Sequence, residues 1–508
     1  MKQSVLLTVL CLFSGLQAFA RDTIVTMTTT DDSVKICVAW TGSGSIFANG
    51  AELINADTIE NIIYPAINGS IAVTTTGDAR LTHLGCFENR LTALNLINCP
   101  KLATLECYYN ELTGLDLTKC PALTKLNCGN NPLVTLDATD NPELMELECY
   151  ANSLTALNVS KSRKLAYLDC HNNSLTTLNV GNCIKLKVLD CSYNSLIALN
   201  VNNCAELERL SCENNSLTVL DLNRCKELEG LACNNNSLTA LKITNCPKLS
   251  WLWCYNNQLA ALDVSKCTKL TDLSLGGNLL TALDISKCTE LTNLGLGSNL
   301  LTALDVSKCT KLYELYCHDN SLTTLDVGKC TKLYTLHCAN NSLTTLDVSK
   351  CTKLYALHCP DNSLTALDVS KCTNLDMLCC ENNSLTTLDV SKCTNLGGLR
   401  CSNNFLSALD VTRCPKLEYI KAHNQTPVLP AVTMHNDAAL SIKNPVTFSG
   451  TEAGIGNISH GGSYTAGNIV WDIQGKSGEM TFNFITELPD GVAGEPFSGI
   501  ATQPWNKK

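Results

Sequence analysis

The sequence predicts a parallel β-solenoid of short coils, with a β-rich cap in front of it and a β-sandwich behind it. Three observations predict this. From Leu81 to Lys416 the pattern Leu-x-x-Leu-x-Cys-x-x-Asn-x-Leu-x-x-Leu-Asp-Val-x-x-Cys-x-x recurs sixteen times in 21-residue steps, without insertion or deletion. A period of that size marks coils that bury their apolar face only against their neighbours. An asparagine holds the ninth place of every coil, from Asn89 and Asn110 through to Asn404. On either side the period fails, and short Thr-, Val- and Ile-rich runs broken by glycine turns take over.

The first twenty residues carry one Lys, an apolar run from Val5 to Phe13 and the triplet Ala18-Phe19-Ala20. This reads as a secretory signal cleaved after Ala20, too short for a membrane anchor. Leu10 is too bulky to precede a lipid-modified Cys11. Loss of Lys2 moves the formal net charge from -10 to -11. An acidic chain without a basic cluster speaks against nucleic acid, and no later apolar run is long enough to span a membrane. The expected location is secreted or cell surface, as a monomer.

Residues 21–80 read as a β-rich cap. Thr23 to Thr30, Ser33 to Trp40 and Gly69 to Thr76 look like strands, and Thr41-Gly-Ser-Gly44 like a turn. A solenoid has to cover the open apolar end of its first coil.

Within each coil the Leu84-Gly85-Cys86 type of segment is a short strand, with Leu and Cys inward and their neighbours outward. Stacked coils then make one parallel sheet on a concave face. With 21 residues per coil there is little room for a helix on the return path, so the convex side is expected to be extended or 3₁₀. The asparagines sit at the corner, where their amides satisfy backbone groups. The Asp263-Val-Ser-Lys266 tetrad and its copies place Asp and Lys columns on the convex side, expected to be a solvated, ion-paired surface.

Of 31 cysteines only Cys11 lies in the leader. One column runs Cys86, Cys107, Cys128 to Cys254, breaks at Leu275 and Leu296, and resumes from Cys317 to Cys401. The other begins Cys99, Cys120, breaks at Asn141 and Ser162, and runs from Cys183 to Cys414. The two columns break in different coils, so pairing within a coil is not expected. Parallel strands lie about 4.8 Å apart, wider than the roughly 3.8 Å between Cβ atoms that a disulfide wants. Free thiols packed as small hydrophobes are therefore expected.

After Cys414 the pattern lapses. Leu417 and Ile420 keep the leucine phase, His423-Asn424 closes a partial coil, and Pro427 and Pro430 mark a boundary. The resulting division is 81–424 for the repeats and 425–508 for a sandwich of seven or so short strands, with turns at Gly461-Gly462 and Asp490-Gly491.

The repeat resembles the leucine-rich repeat, and its Leu-x-Cys strand on a 21-residue period is similar to the cysteine-ladder internalins of the internalin J type. The tail resembles the immunoglobulin-like module that follows internalin repeats, through Ile458-Ser-His-Gly-Gly-Ser-Tyr-Thr-Ala-Gly-Asn-Ile-Val-Trp471, Glu479-Met-Thr-Phe-Asn-Phe484 and Phe497-Ser-Gly-Ile-Ala-Thr-Gln-Pro504. The resemblance implies a surface or secreted bacterial protein that binds a host or environmental protein or glycan. The family opens on a helical cap where this chain reads as strands. Its wall-sorting signal is not matched by Trp505-Asn-Lys-Lys508, so wall attachment is not expected.

On the outward face, Trp251, Trp253 and Tyr255 share one strand, although Leu252 and Cys254 already supply the inward atoms. The next coils offer Ser274, Gly276, Gly295 and Gly297, and then Tyr316 and His318. An aromatic wall beside a bare floor is the expected recess for a sugar ring or an apolar side chain. Glu146 and Glu148, with Glu106, Asp169, Asp190 and Glu213, form an acidic strip suited to a cationic partner. The column Tyr316, His337, His358, Cys379 carries zinc-type ligands, but an in-line ladder does not converge, so no metal and no cofactor are expected. There is no Gly-x-Ser-x-Gly elbow, His-Glu-x-x-His or phosphate loop. No cysteine follows Cys414, which excludes a secreted ubiquitin-ligase effector. The expectation is a non-enzymatic, adhesin-like binding protein, with a ligand-free structural protein as the alternative.

Overall fold

The computed structural model describes residues 22–49, 51–53, 62–66 and 69–428, and from there the segments 432–434, 440–443, 447–448, 451–452, 454–456, 463–465, 468–471, 477–485, 492–495 and 498–507. The leader expected at Met1–Ala20 and the turns expected at Gly461-Gly462 and Asp490-Gly491 lie outside them. The chain divides into two compact units, one ending at Ser195 and the other beginning at Leu196. Each contains stacked parallel coils, and the chain carries about 16 turns of solenoid with no helix among the described residues.

The N-terminal unit opens with β1 (Asp22–Thr29), β2 (Ser33–Thr41), β3 (Ile46–Ala48), β4 (Ala51–Glu52), β5 (Ile62–Pro65) and β6 (Ser70–Thr75), followed by β7 (Arg80–Gly85) and β8 (Leu91–Leu96) of the first coil. β2 runs antiparallel to β7, with Val38 opposite Leu84. β1 runs antiparallel to β8, with Met27 opposite Leu94. The residues before the repeats thus hydrogen-bond to both the front and the back of the first coil. They bury Val25, Met27, Ile46, Ile71 and Val73 completely. An edge strand left unpaired is a template for unwanted pairing, and these partners occupy it.

Behind β7 the strands shrink to three residues each and stay in register. Thr104–Glu106, Lys125–Asn127, Glu146–Glu148, Tyr167–Asp169 and Val188–Asp190 pair in parallel in this unit. Each strand buries its central Leu and the Cys just after it. In the C-terminal unit the same register runs from Trp251–Trp253 through Thr335–His337 to Tyr419–Lys421. Beyond it, Ala493–Glu495 adds one more parallel strand.

The corner asparagines hold successive coils together. In the C-terminal unit Asn320 Nδ2 donates to Leu296 O of the preceding coil at 2.9 Å and to Cys317 O of its own at 3.2 Å, while its Oδ1 accepts from Leu301 N at 3.0 Å. The residue just before each ladder asparagine turns left-handed, from Tyr109 (φ 53°) and Ala151 (φ 49°) to Asn403 (φ 56°). Asn and Asp visit that region most readily among residues with a side chain. One coil further than the repeat pattern reaches, Gln425 takes over the asparagine role. It is fully buried, accepts from Leu406 N at 3.1 Å and donates to Cys401 O at 2.9 Å.

The return path consists of isolated turns, such as Leu312 N–H to Cys309 O at 3.1 Å, and short strand pairs, such as Thr135–Asp137 with Ala156–Asn158. The 3₁₀ expectation is therefore met only as single turns. The aspartate column mainly closes local turns: Asp263 Oδ1 accepts from Ser265 N at 2.9 Å and Asp347 Oδ1 from Ser349 N at 2.8 Å. Ion pairs join residues one coil apart, as in Lys311–Glu290 at 2.6 Å and, within the aspartate column, Lys242–Asp221 at 3.2 Å.

Each described cysteine is buried and carries a free thiol. In the first column the substitutes Leu275 and Leu296 are fully buried, as apolar filler should be. The second column also supplies a donor. Cys288 Sγ donates to Val264 O at 3.7 Å and Cys330 Sγ to Val306 O at 3.7 Å, both 24 residues back. Asn141 stands at a break in that column, and its Nδ2 donates to Leu117 O, 24 residues back, at 3.2 Å. Asn141 thus keeps both the small volume and the donor of the second column, whereas Ser162 at the next break keeps only the volume, its Oγ having no hydrogen-bond partner.

In the tail, Ser477–Ile485 and Ser498–Lys507 run antiparallel, flanked by Gly454–Gly456 and Val432–Met434 in a four-stranded sheet. Leu440–Lys443, Asn468–Trp471 and Ser463–Thr465 form a separate three-stranded sheet.

Candidate functional site

Because Leu and Cys of each strand point into the coil, the alternating residues face out, and the in-register ladder brings equivalent residues of successive coils side by side. In the C-terminal unit this brings aromatic rings together. Trp251 is half-buried and Trp253 is 43% exposed, with ring centroids 5.1 Å apart. Trp251 does not line the expected floor: its ring lies back over Gly230, where a Cβ would sit 2.1 Å from the indole. Gly297, expected to be bare, is likewise covered, since a Cβ there would meet the His318 ring at 2.4 Å. What remains open is narrower. Gly276 meets only the Gly297 backbone, its O at 3.2 Å from a Cβ position, and Gly295 has Ser274 Oγ at 3.3 Å. The half-exposed Tyr255 precedes this strip in the coil order.

Tyr316 and His318 belong to a denser cluster. His318 stacks on His337 at 4.3 Å, Tyr316 meets His337 edge-on at 6.2 Å, and His337 lies 5.3 Å from His358. Tyr316 Oη donates to Glu314 Oε2 at 3.3 Å. Burial first, then the neighbouring His318 and His358, push the His337 pKa down to about 4. Burial and Arg400 lower that of His358. Lowered in this way, the His337 and His358 rings favour the neutral form and serve as flat, hydrogen-bonding surfaces.

The sequence reading missed a further row on the same unit. Tyr313, Tyr334 and Tyr355 stack at 4.9 Å between successive centroids, with nearly parallel rings, and Tyr313 is 43% and Tyr355 39% exposed. Each sits one residue before the strand. The triplets Lys311-Leu-Tyr313, Lys332-Leu-Tyr334 and Lys353-Leu-Tyr355, one period apart, were the available signal.

In the N-terminal unit, Glu146 pairs with Lys125 at 3.4 Å, and Glu148 Oε2 accepts from Asn127 Nδ2 at 2.9 Å. Burial chiefly raises the Glu148 pKa; nearby Lys125 opposes this, and Asp169, Glu146 and Glu106 add to it. Glu148, Asp169 and Asp190 lie in register on neighbouring strands, so repulsion between them is built in. His171 Nδ1 approaches Asp169 Oδ1 at 2.6 Å. Burial drives Tyr167 beside them up to about 12, and Asp169 adds to this.

Among the described residues no helix is long and apolar enough to cross a membrane. The face offers rings, hydroxyls and carboxylates for contact, and leucine-rich-repeat proteins are generally non-enzymatic, protein-binding scaffolds.

A family model described as "LRR adjacent" matches residues 456–506. No curated protein matches the chain. Among solved structures, the functional domain of InlJ from Listeria monocytogenes, which includes a cysteine ladder, is 30% identical with a TM-score of 0.69, over 84% of this chain and 91% of that one. An LRR protein of Leptospira interrogans is 26% identical with a TM-score of 0.51, over 63% of this chain and 83% of that one. The plant peptide hormone receptor RGFR1, in complex with RGF2, is 20% identical with a TM-score of 0.53, over 65% of this chain and 68% of that one, a likeness of fold alone. With the buried thiol columns and the corner asparagines already in view, the extent of the match to InlJ establishes that the chain belongs to the internalin-like leucine-rich-repeat proteins that carry a cysteine ladder.

Proposed function

We propose that the protein is a secreted or surface-exposed, adhesin-like binding protein, monomeric and non-enzymatic, that takes a host or environmental protein or glycan on the outward face of its parallel sheet. The observation that carries this is the set of rings on the C-terminal unit: Trp251, Trp253, Tyr316, His318, His337 and the Tyr313–Tyr334–Tyr355 row. Leu252, Cys254, Leu315 and Cys317 are completely buried and fill the interior of the same coils. The outward rings are therefore surplus to the core, and partly exposed aromatic rings of this kind favour a partner with flat apolar and hydroxyl-bearing groups. Ser274, Gly276 and Gly295 supply a low strip on which such a partner can approach the backbone. Glu146 and Glu148 add acidic character on the N-terminal unit.

In the same reading Met1–Ala20 is a signal peptide, residues 21–80 cap the first coil, 81–424 are the repeats and 425–508 form an immunoglobulin-like sandwich. The pairing of β1 and β2 with the first coil supports the cap, and the two separate tail sheets with the "LRR adjacent" match support the sandwich.

The test is an array of glycans and host extracellular proteins probed with the mature chain, followed by Trp253→Ala and Tyr334→Ala. At least one ligand is expected, weakened tenfold or more by one of the variants while circular dichroism stays unchanged. A chain that binds nothing leaves the structural-protein reading in its place, and binding that neither variant touches overturns the ring face as the site.

A further inference from the structure

We propose that Asp169, His171 and Asp190, on the sheet face of the N-terminal unit, form a site for one divalent transition-metal cation of the zinc type. The donor atoms of these three residues all lie within 4.8 Å of one another. Ligands on one zinc ion, each bonded at about 2.0–2.2 Å, stand roughly 3.3 Å apart. Closing the site therefore takes a side-chain movement of about one bond length. Two carboxylates and one imidazole, with water in the fourth position, are a donor set zinc-type ions accept, and the two negative charges balance a divalent cation.

The layout explains why donors converge here and not in the histidine column. His337 and His358 occupy one column, one coil apart, so their rings follow one another in line. Asp169 and Asp190 are also register partners, but His171 lies two residues beyond Asp169 on the same face, and the three make a triangle.

His171 and Asp190 are each oriented by a contact outside the triangle, and Asp169 by His171 within it, whose N and Nδ1 reach its Oδ1 at 3.2 and 2.6 Å. Gly129 leaves room for the Tyr150 ring, since a Cβ there would stand 2.6 Å from it. His171 stacks on that ring at 5.2 Å and 3°, which fixes the imidazole plane. Ser192 holds Asp190 Oδ1 through its backbone N at 3.0 Å and its Oγ at 2.6 Å, leaving Oδ2 for a cation. Supporting contacts of this kind raise metal affinity by holding ligands in place. The Asp169 side chain is only 13% exposed.

The test is titration of the mature chain with Zn²⁺ by calorimetry, and with Co²⁺ as a spectroscopic substitute. One equivalent is expected to bind. Co²⁺ should show weak visible bands and no intense near-ultraviolet band of thiolate ligation, which separates this site from the cysteine columns. His171→Gln and Asp190→Asn should each weaken binding at least tenfold, and His337→Gln should leave it unchanged. Zn²⁺ should raise the melting temperature of the parent chain but not of His171→Gln, a readout that stands even if Asp190→Asn fails to fold. No uptake by the parent chain, a thiolate band, or affinity retained in His171→Gln overturns the proposal. None of these readouts involves the protein or glycan ligand, so the two proposals fail independently.

Discussion

The indole of Trp251 lies across Gly230 so closely that a Cβ on Gly230 would sit 2.1 Å from the ring. The two residues are register partners on adjacent strands, and the missing side chain of one coil is what lets the ring of the next lie down. Gly230→Ala is therefore expected to lift the indole off the sheet. The overpacking costs about 1–3 kcal/mol if the ring cannot swing clear, and less if it can. The check is tryptophan fluorescence. A red-shifted emission with an otherwise native circular dichroism spectrum is expected, and an unchanged emission maximum would show that the indole does not rest there.

Asn320 bridges two coils through one amide, with bonds to Leu296 O, Cys317 O and Leu301 N. Asn320→Ala leaves the Leu301 N–H without its partner, at about 1–3 kcal/mol, while Leu296 O and Cys317 O keep the amides of Asn299 and Asn341. Stability in a solenoid is a sum over neighbouring coils, so the loss is expected to broaden or split the urea transition. A single, unshifted transition would mean that water replaces the amide at no cost.

The difference between Gly230 and Asn320 shows what was legible in the sequence. Leu252, Cys254 and Asn257 each repeat every coil because every coil imposes the same demand, and a repeated demand writes a period. The direction in which Trp251 leans depends on the volume left by one neighbour, and no period records that. His171 was missed for the same reason: its role comes from Asp190 one coil on and Tyr150 one coil back. Gln425 escaped notice because an amide one methylene longer does the work of the asparagine.

His337 is held neutral by burial and by His318 and His358, with its pKa pushed down to about 4 from 6.5. A depressed folded-state value means that the unfolded chain takes up the proton first as pH falls. The stabilising contribution is therefore complete above about pH 6.5 and is lost as pH drops toward 4. His337→Gln should make the urea midpoint less sensitive to acid across that interval. Equal acid sensitivity in parent and variant would mean that the histidine row titrates freely.

Asn141 fills a place that Cys120 and Cys183 occupy in other coils, and is fully buried. Its Nδ2 reproduces the donor role toward Leu117 O, but its Oδ1 has no hydrogen-bond partner. A thiol supplies the donor without the stranded acceptor. Asn141→Cys is therefore expected to stabilise the chain by about 1 kcal/mol, read as a rise in the thermal midpoint under reducing conditions. A fall would show that the amide oxygen is satisfied in solution.

The thiol columns set the behaviour of the whole chain in alkali. Burial raises the pKa of Cys225, Cys246, Cys338 and Cys351 from 9.0 to about 12. For an acid, a raised folded-state value means that the unfolded chain gives up its protons first. The stability these thiols lend is whole below pH 9 and is withdrawn between about 9 and 12. Because the columns repeat from coil to coil, the losses act on many interfaces together. The urea midpoint should hold steady from pH 7 to 8.5 and then fall steeply. Only the thiolate is nucleophilic, so a thiol reagent at pH 8 should react slowly with the native chain and with essentially every cysteine of the mature chain once it is denatured without reductant. A denatured chain with few reactive thiols would mean that the columns are oxidised, and that disulfides rather than packed thiols join the coils.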